Sequence, residues 1–264
     1  MDYLNAVILG VIEGITEFLP ISSTGHLLIA EHWLGERSET FNVVIQAGAI
    51  LAVTLIYWRR LLELIVYWRE PDNFSYAMKL IVAFLITAAL GLIAKKLGFT
   101  LPETVAPVAW ALIIGGFWIL AVEWYAAKKA DIPYVSWLTA IVVGVAQIVA
   151  GIFPGTSRSG ATIFAAMLAG TTDRAAATEF AFLVGIPTMY AASAYELVKS
   201  LKGGAEHEDW GALGIAFVVS TVTAFIAVKW LLGYIQTHRF TAFAVYRIIL
   251  GGLLLGAAAM GWAA

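Results

Sequence analysis

Long apolar segments separated by short polar stretches make up most of the chain. Six of these segments have the roughly 17 to 25 residues that an α-helix needs to cross about 30 Å of hydrocarbon. They cover residues 41–57, 76–94, 105–125, 178–198, 212–235 and 243–263. The segments lack the alternation of apolar and polar residues that is typical of barrel strands. The pattern therefore predicts an all-α integral membrane protein with six spanning helices.

Two further apolar regions, residues 3–34 and 135–170, are interrupted partway along. Pro20 ends the apolar run of the first region, Pro154 ends that of the second, and a short helical segment follows each proline. Broken helices are tolerated at membrane depth only where protein or water covers the freed backbone groups. We therefore predict two re-entrant helical hairpins in addition to the six spans.

The two predicted hairpins resemble each other in sequence. A shift of 134 residues superimposes seven identical residues, namely Leu4, Ala6, Gly10, Val11, Pro20, Ser23 and Ile29 on Leu138, Ala140, Gly144, Val145, Pro154, Ser157 and Ile163. Each half of the single transmembrane domain, approximately 1–130 and 131–264, then contains one hairpin and three spans. Because three is odd, the second hairpin enters from the opposite face. This predicts an inverted-topology repeat whose functional site lies near the membrane midplane, where the two breaks meet.

Composition agrees with a membrane protein and excludes some kinds of function. Of the 264 residues, 61% are hydrophobic and 13% are charged, whereas about a quarter of the residues in soluble domains are charged. The net charge of -2 offers no electrostatic attraction to nucleic acid. There is no cysteine, so disulfide and thiolate chemistry are excluded.

Lysine and arginine in short loops predict the orientation of the chain, because they are enriched on the inner face. Eight of them fall on one face, namely Arg59, Arg60, Arg69, Lys79, Lys128, Lys129, Arg174 and Arg239. Five fall on the other, namely Arg37, Lys95, Lys96, Lys199 and Lys202. The larger group is predicted to be inside, which places both termini and the mouth of the first hairpin on the outer face.

The stretch EGITEFLPISSTGH carries ionisable side chains inside an apolar region. Glu13 and Glu17 are spaced i, i+4 and share one helical face, so they repel each other when both are ionised. Each ionisable residue at membrane depth costs roughly 2.5–3.5 kcal/mol on insertion scales, which argues for a functional role. We expect a cation, a proton or a metal ion between the two carboxylates. Ser22, Ser23 and His26 follow, and histidine can act on phosphorus as a nucleophile or as a general acid or base.

The second break, PGTSRSGAT, offers a complementary anion site. A helix beginning at this point presents unpaired N–H groups and a partial positive charge, which suit a phosphate. The Arg158 guanidinium can hold phosphate oxygens in a bidentate manner. Ser157, Ser159 and Thr162 add hydroxyl donors. The serines and threonines at both breaks are also typical helix N-caps, and the two roles are compatible. Arg247, near the start of the last span, is predicted to extend towards the membrane interface.

These two motifs, EGITEFLPISSTGH and PGTSRSGAT, resemble the signature motifs of the bacterial undecaprenyl diphosphate phosphatases, the bacitracin-resistance family. The likeness continues in FNVVIQAGAILAV after the first hairpin and in TEFAFLVGIP after the second. The resemblance implies an inner-membrane enzyme that converts undecaprenyl diphosphate to the monophosphate carrier lipid used in peptidoglycan synthesis, with a site that opens to the outer, periplasmic face. It also implies bacitracin resistance, since that antibiotic sequesters the same lipid.

Residue by residue, the resemblance assigns the acidic motif to Glu13 and Glu17, and the catalytic histidine and its serine to His26 and Ser23. The phosphate-binding motif falls on Ser157, Arg158, Ser159 and Thr162, and Ser22 lies at the matching break.

The assignment of roles leaves two versions of the reaction open. In one version His26 is the nucleophile and Glu17 orients its ring. In the other version Ser23 attacks and His26 is its base. Glu13, with Glu17, is expected to bind a divalent cation, Mg²⁺ or Ca²⁺, that bridges the diphosphate, or else to donate a proton.

A different class of function also fits the pattern. Inverted repeats, broken helices and a polar site at the midplane are features of transporters, and a fold does not define a function. A flippase for a phosphorylated polyprenyl lipid needs the same anion-binding groups, but it has less need of a histidine beside paired carboxylates. The glycines at 115–116 and in GGLLLG, 251–256, favour close helix packing and are compatible with a homodimer.

Overall fold

The structure is a computed structural model that describes residues 2–99, 104–202 and 209–261, and its regular elements in these ranges are all helices. Eleven helices follow one another along the described ranges: α1 Tyr3–Thr16, α2 Ser23–Leu34, α3 Glu39–Ile56, α4 Trp58–Val66, α5 Pro71–Lys96, α6 Val105–Ala126, α7 Trp137–Ile152, α8 Arg158–Leu168, α9 Arg174–Lys202, α10 Trp210–Tyr234 and α11 Thr241–Ala259.

Six of these helices, α3, α5, α6, α9, α10 and α11, are long and apolar enough to cross a membrane. They correspond one to one to the six predicted spans, so this part of the prediction is confirmed. Several helices extend beyond the apolar segment, as α5 does by starting at Pro71 rather than at residue 76. Proline is favoured in the first turn of a helix, where its missing N–H costs nothing. The predicted end of the last span, residues 262–263, lies outside the described residues.

The short helix α4 was not predicted. Its sequence, WRRLLELIV, is amphipathic rather than uniformly apolar, so a search for membrane-length segments passes over it. Leu64 is buried against the bundle, and Arg60 lies 3.3 Å from a carboxylate oxygen of Glu179 on α9. The helix therefore packs alongside the spans without belonging to them.

The two interrupted regions each form a helix, a break and a shorter helix. The first break separates α1 from α2 and the second separates α7 from α8. Each shorter helix begins after a serine with a positive φ, Ser22 at 74° and Ser157 at 68°. These are the only non-glycine residues with a positive φ in the described ranges. The serine side chain caps the new helix by accepting a hydrogen bond from the backbone N–H of Gly25 or of Gly160, at 3.4 and 3.2 Å.

These caps correct the register of the sequence comparison at the breaks. A shift of 134 residues aligns Ser23 with Ser157, whereas the capping serines Ser22 and Ser157 are 135 residues apart. The second break has one more residue than the first between its proline and the capping serine, Gly155 and Thr156 against Ile21. The shift of 134 does hold at the start of the first helix of each region, where the N-caps are Asp2 and Ser136.

The helices that precede the two breaks pack closely on partners from the other half of the chain. A Cβ added at Gly10 of α1 would lie 2.7 Å from the carbonyl oxygen of Ala216 on α10. A Cβ added at Gly144 of α7 would lie 2.7 Å from the carbonyl oxygen of Ala83 on α5. Small residues permit such close backbone approach between membrane helices. Both breaks are thereby held inside the bundle, where Phe18 packs edge-to-face on Phe182 with ring centroids 5.1 Å apart.

Arg247 does not extend to the membrane interface as predicted. It is 1% exposed, and its guanidinium donates to carbonyl oxygens of Pro20 at 3.2 Å and Gly155 at 3.1 Å. It also donates to Leu112 at 3.3 Å and Ala111 at 3.0 Å on α6. A broken helix leaves carbonyl groups without helical donors, and a guanidinium supplies five N–H groups. One side chain from α11 thus connects both breaks to α6.

Candidate active site

Glu17 lies at the first break, immediately after the end of α1, and it is buried. One oxygen, Oε2, accepts a hydrogen bond from the Ser23 hydroxyl at 2.5 Å. The other, Oε1, lies 3.4 Å from the Arg158 guanidinium and 3.4 Å from the Gln46 side-chain amide. Glu17 therefore joins the start of α2 to the start of α8 and also contacts α3.

The hydroxyl groups at the start of α8 divide into two sets. Ser157 and Arg158 line a cavity between the two breaks. Ser159 instead donates to the carbonyl oxygen of Leu19 at 3.1 Å, and Thr162 donates to that of Arg158 at 2.8 Å. Two of the four residues predicted to bind phosphate therefore use their hydroxyl groups to hold the backbone around the site.

The cavity has a volume of about 570 Å³ and receives the first residues of two helices. Ser23 and Thr24 open α2 on one side, and Arg158 opens α8 on the other. Helix N-termini carry partial positive charge and free N–H groups, so both favour an anion in the space between them. Apolar side chains of α5, α7 and α9 form the wall, among them Phe84, Leu92, Ile148, Ala191 and Ala192. An anionic group on an apolar chain matches this lining.

A larger cavity, of about 610 Å³, lies between α6, α7 and α8. Its lining is almost entirely apolar and contains no carboxylate, and Arg247, the one charged side chain there, is already bonded to carbonyl groups. We therefore assign the chemistry to the cavity that contains Glu17, Ser23 and Arg158.

His26 does not contact Glu17, in contrast to the first predicted version of the reaction. Its Nδ1 lies 2.7 Å from the carbonyl oxygen of Ser22, and its Nε2 lies 2.6 Å from the hydroxyl of Tyr246 on α11. Because a carbonyl oxygen only accepts, Nδ1 carries a proton and Nε2 is the nitrogen that faces Tyr246. Neither nitrogen is bonded to Ser23, whose hydroxyl proton is directed at Glu17.

Glu13 is 1% exposed and lines a separate cavity of about 190 Å³ between α1, α2 and α3. Its Oε2 has no hydrogen-bond partner among the described residues, and the same is true of Asn42 Oδ1 in the same cavity. Ser23 and Thr24 line this cavity as well as the larger one. The two glutamates therefore have different surroundings, and Ser23 lies at the boundary between them.

Three residues of the site were missed in the sequence. Arg247 was assigned to the interface, and Tyr246 beside it was not considered. Gln46 was quoted only within the motif FNVVIQAGAILAV, although an amide in the middle of an apolar span is itself a signal of a buried polar site. The contacts of Tyr246 and Arg247 with the first break have no local signal, because they join residues more than two hundred positions apart.

Comparison with known proteins agrees over nearly the whole chain. The family model described as bacitracin resistance protein BacA matches residues 6–253. An undecaprenyl-diphosphatase of Rhizobium leguminosarum bv. trifolii (strain WSM2304) is 76% identical over 263 residues, 99% of both chains. One of Rhizobium etli (strain CIAT 652) is 74% identical over 262 residues, again 99% of both chains. One of Xanthomonas oryzae pv. oryzae (strain PXO99A) is 58% identical over 255 residues, 96% of both chains.

Proposed function

The chain belongs to the bacitracin resistance protein BacA family, and from this premise we propose that it is an undecaprenyl-diphosphatase. It would hydrolyse undecaprenyl diphosphate to undecaprenyl phosphate and inorganic phosphate, which recycles the carrier lipid for peptidoglycan synthesis and confers bacitracin resistance. The observation that carries this proposal is the shared cavity in which Ser23, hydrogen-bonded to Glu17, faces Arg158.

The cavity supports a division of the substrate into two parts. The diphosphate would lie between the starts of α2 and α8, where Arg158 and the free N–H groups offset its charge. The polyprenyl chain would follow the apolar wall of α5, α7 and α9. Fixed donors around a transferring phosphoryl group stabilise the charge that develops in the transition state.

The geometry favours Ser23 over His26 as the nucleophile. In the proposed first step Ser23 Oγ bonds to the terminal phosphorus while Glu17 takes its proton. The bond from phosphorus to the bridging oxygen breaks, and Glu17 returns the proton to the departing monophosphate. In the second step a water molecule attacks the phosphoserine, one water proton passes through Glu17 to Ser23 Oγ, and phosphate leaves.

His26 would then be a positioning residue. Its bond to the Ser22 carbonyl stabilises the residue that carries the positive φ, and its bond to Tyr246 attaches α2 to α11. The competing assignment, in which His26 attacks phosphorus, requires Nε2 to exchange Tyr246 for the substrate.

A divalent cation, Mg²⁺ or Ca²⁺, fits the oxygens around Glu13 better than a position between Glu13 and Glu17. Both oxygens of Glu17 are already engaged, whereas Glu13 Oε2 and Asn42 Oδ1 are buried acceptors without a donor among the described residues. Hard cations prefer such oxygens and take further ligands from substrate phosphates. When bound, the cation would offset negative charge on the diphosphate. No three His, Cys, Asp or Glu residues in the described ranges form a closed metal site, so the substrate would have to supply ligands.

We further propose that the two helix–break–helix regions are re-entrant hairpins in an inverted repeat. Reciprocal packing supports this: α1 lies on α10 of the second half, and α7 lies on α5 of the first, through Gly10 and Gly144 at equivalent positions. The matching serine caps at positive φ support it as well. An inverted repeat would bring both breaks to the midplane from opposite faces.

The proposed location is the bacterial inner membrane, with the cavity open to the periplasm. Lys95 and Glu196 line one end of the cavity, and they lie on the end of the bundle that the distribution of basic residues predicts to be outside. A flippase for the same lipid is the second candidate, since the anion site and the broken helices suit either activity. The hydrogen bond that activates Ser23 favours the enzyme, because transport has no use for an activated hydroxyl.

The decisive experiment measures phosphate release from undecaprenyl diphosphate by the purified protein, with Arg158→Ala as the matched inactive form. Release by the parent protein and a loss of about 10³-fold in the folded variant are expected. A folded parent that releases no phosphate with Mg²⁺ or Ca²⁺ present would favour the flippase.

A further inference from the structure

Gln147 is a buried amide on α7 whose orientation is determined by its neighbours. Its side-chain nitrogen lies 3.1 Å from the Thr87 hydroxyl on α5 and 3.4 Å from the Thr188 hydroxyl on α9. Thr87 already donates its proton towards the carbonyl oxygen of Gly144, at 2.9 Å, and Thr188 donates to that of Val184, also at 2.9 Å. Each hydroxyl has a single proton, so both threonine oxygens are left as acceptors. The amide NH₂ of Gln147 must therefore face the threonines, and Oε1 must face away.

The amide oxygen of Gln147 is consequently an acceptor without a donor. It has no hydrogen-bond partner among the described residues, although the side chain is only 3% exposed. Buried polar atoms in proteins are almost always paired with protein, ligand or ordered water. An acceptor in this position therefore indicates a ligand that brings its own O–H or N–H group.

The space next to Gln147 indicates which ligand that is. Gln147 lines the 570 Å³ cavity together with Ser23 and Arg158, and it also lines a recess of about 10 Å³ with Glu17, Arg158 and Thr162. Such a recess has room for about one water molecule. A phosphate oxygen is itself an acceptor and would be repelled by Oε1, so Gln147 is unsuited to bind the substrate anion directly. Water supplies the missing donor and fits the space.

We infer that Gln147 is a positioning residue that holds the hydrolytic water through Oε1. The inference rests on the proposed phosphatase activity and names a residue to which that proposal gives no role. The water oxygen bonds to phosphorus as the bond from phosphorus to Ser23 Oγ breaks. One water proton passes to Glu17 and then to Ser23 Oγ, while the other stays on the phosphate and remains hydrogen-bonded to Gln147. Holding a nucleophile in place in this way contributes through orientation, and small misplacements cost about 10²-fold in rate.

The test uses Gln147→Leu, which keeps the approximate size of the side chain and removes both hydrogen-bonding groups. Phosphate release is measured in water and with methanol added as a competing acceptor of the phosphoryl group. If Gln147 favours water, the variant loses about 10- to 10²-fold in kcat with little change in KM. It also forms more methyl phosphate relative to inorganic phosphate than the parent, and phosphorylated Ser23 accumulates.

A double variant, Thr87→Val with Thr188→Val, provides a second test that keeps Gln147. It removes the oxygens that orient the amide, so the same shift towards methyl phosphate is expected, to a smaller extent. Equal product ratios in the parent and both variants would overturn the inference, whatever happens to the overall rate, because a merely structural role slows transfer to both acceptors alike. A parent that releases no phosphate would refute the proposed function itself, and the inference with it.

Discussion

Ser23 donates a hydrogen bond to Glu17 across the first break, with Ser23 Oγ 2.5 Å from Glu17 Oε2. The contact joins a hydroxyl at the positive end of α2 to a buried carboxylate whose other oxygen faces Arg158. A serine held in this way has a base in position and an anion-binding group nearby. The relationship leads directly to the first prediction.

Ser23→Ala is expected to lower kcat by about 10³-fold or more, because it removes the proposed nucleophile. His26→Ala is expected to cost less, about 10-fold, since His26 supports the backbone of Ser22 and contacts Tyr246 instead of Glu17. Steady-state phosphate release measures both, and acid quenching followed by mass spectrometry locates any phosphoryl group. Phosphate trapped on His26, with activity retained in Ser23→Ala, would reverse the assignment.

Arg158→Lys is expected to lower kcat/KM by about 10²-fold, although the charge is conserved. A lysine cannot make the paired, planar contacts of a guanidinium with phosphate oxygens. The loss corresponds to about 2.7 kcal/mol of transition-state stabilisation. Arg59→Lys, on the exposed side of α4, is the control and should leave the kinetics unchanged. Parental kcat/KM in Arg158→Lys would mean that the site recognises charge alone.

Ser157→Gly is expected to destabilise the protein less than Ser157→Ala. Both remove the cap on the Gly160 N–H, but alanine must also adopt the left-handed φ of 68°, which glycine tolerates. We expect about 1–3 kcal/mol for alanine and a few tenths for glycine. Thermal unfolding in detergent provides the comparison, and the same order is expected at Ser22. Equal melting temperatures for the two variants would contradict the strain argument.

Gly115→Ala is expected to destabilise the protein and to lower its activity together. An added Cβ would lie only 2.1 Å from Arg247 Nη2, so the guanidinium would have to leave the carbonyl groups it binds. Overpacking of this kind costs about 1–3 kcal/mol. Gly214→Ala on α10 is the matched control, because nothing lies within 4 Å of its added Cβ. If the two variants behave alike, the position of Arg247 is not sensitive to this contact.

Glu13→Gln is expected to raise the Mg²⁺ or Ca²⁺ concentration needed for half-maximal phosphate release by about 10-fold, since one charged oxygen ligand becomes neutral. Titration of the metal into chelator-treated protein measures this shift. Glu39→Gln, at an exposed position, serves as the control. An unchanged metal requirement, with a lower maximal rate, would instead favour Glu13 as a proton donor.

Much of the architecture could be predicted from the sequence, because hydrocarbon thickness sets the length of an apolar span and proline ends a helix. The six spans and the positions of both breaks follow from these two constraints. The amphipathic helix α4 does not, since a search for apolar length ignores a segment with charges on one face. The one-residue difference between the breaks also escaped the comparison, because identical prolines favoured a single constant shift.

Within the candidate site, residue types were easier to predict than partners. Glu17, Ser23 and Arg158 were expected near one another, and they are hydrogen-bonded. His26 was expected beside Glu17, yet it faces Tyr246, because the rotation of α2 about its own axis depends on packing that a linear sequence does not show. Arg247 looked like an interfacial arginine, and only the free carbonyl groups of two distant breaks explain why it is buried.

The position of Arg247 has a consequence for how the protein matures. Pro20 and Gly155 are synthesised long before Arg247, which follows Pro20 by 227 residues. Until the final helix has joined the bundle, the carbonyl groups at both breaks lack the donor that connects them. A nascent chain therefore carries its serine, its glutamates and its phosphate-binding arginine without a completed pocket. Insertion of the last helix is the step that turns an inactive translation intermediate into a working enzyme.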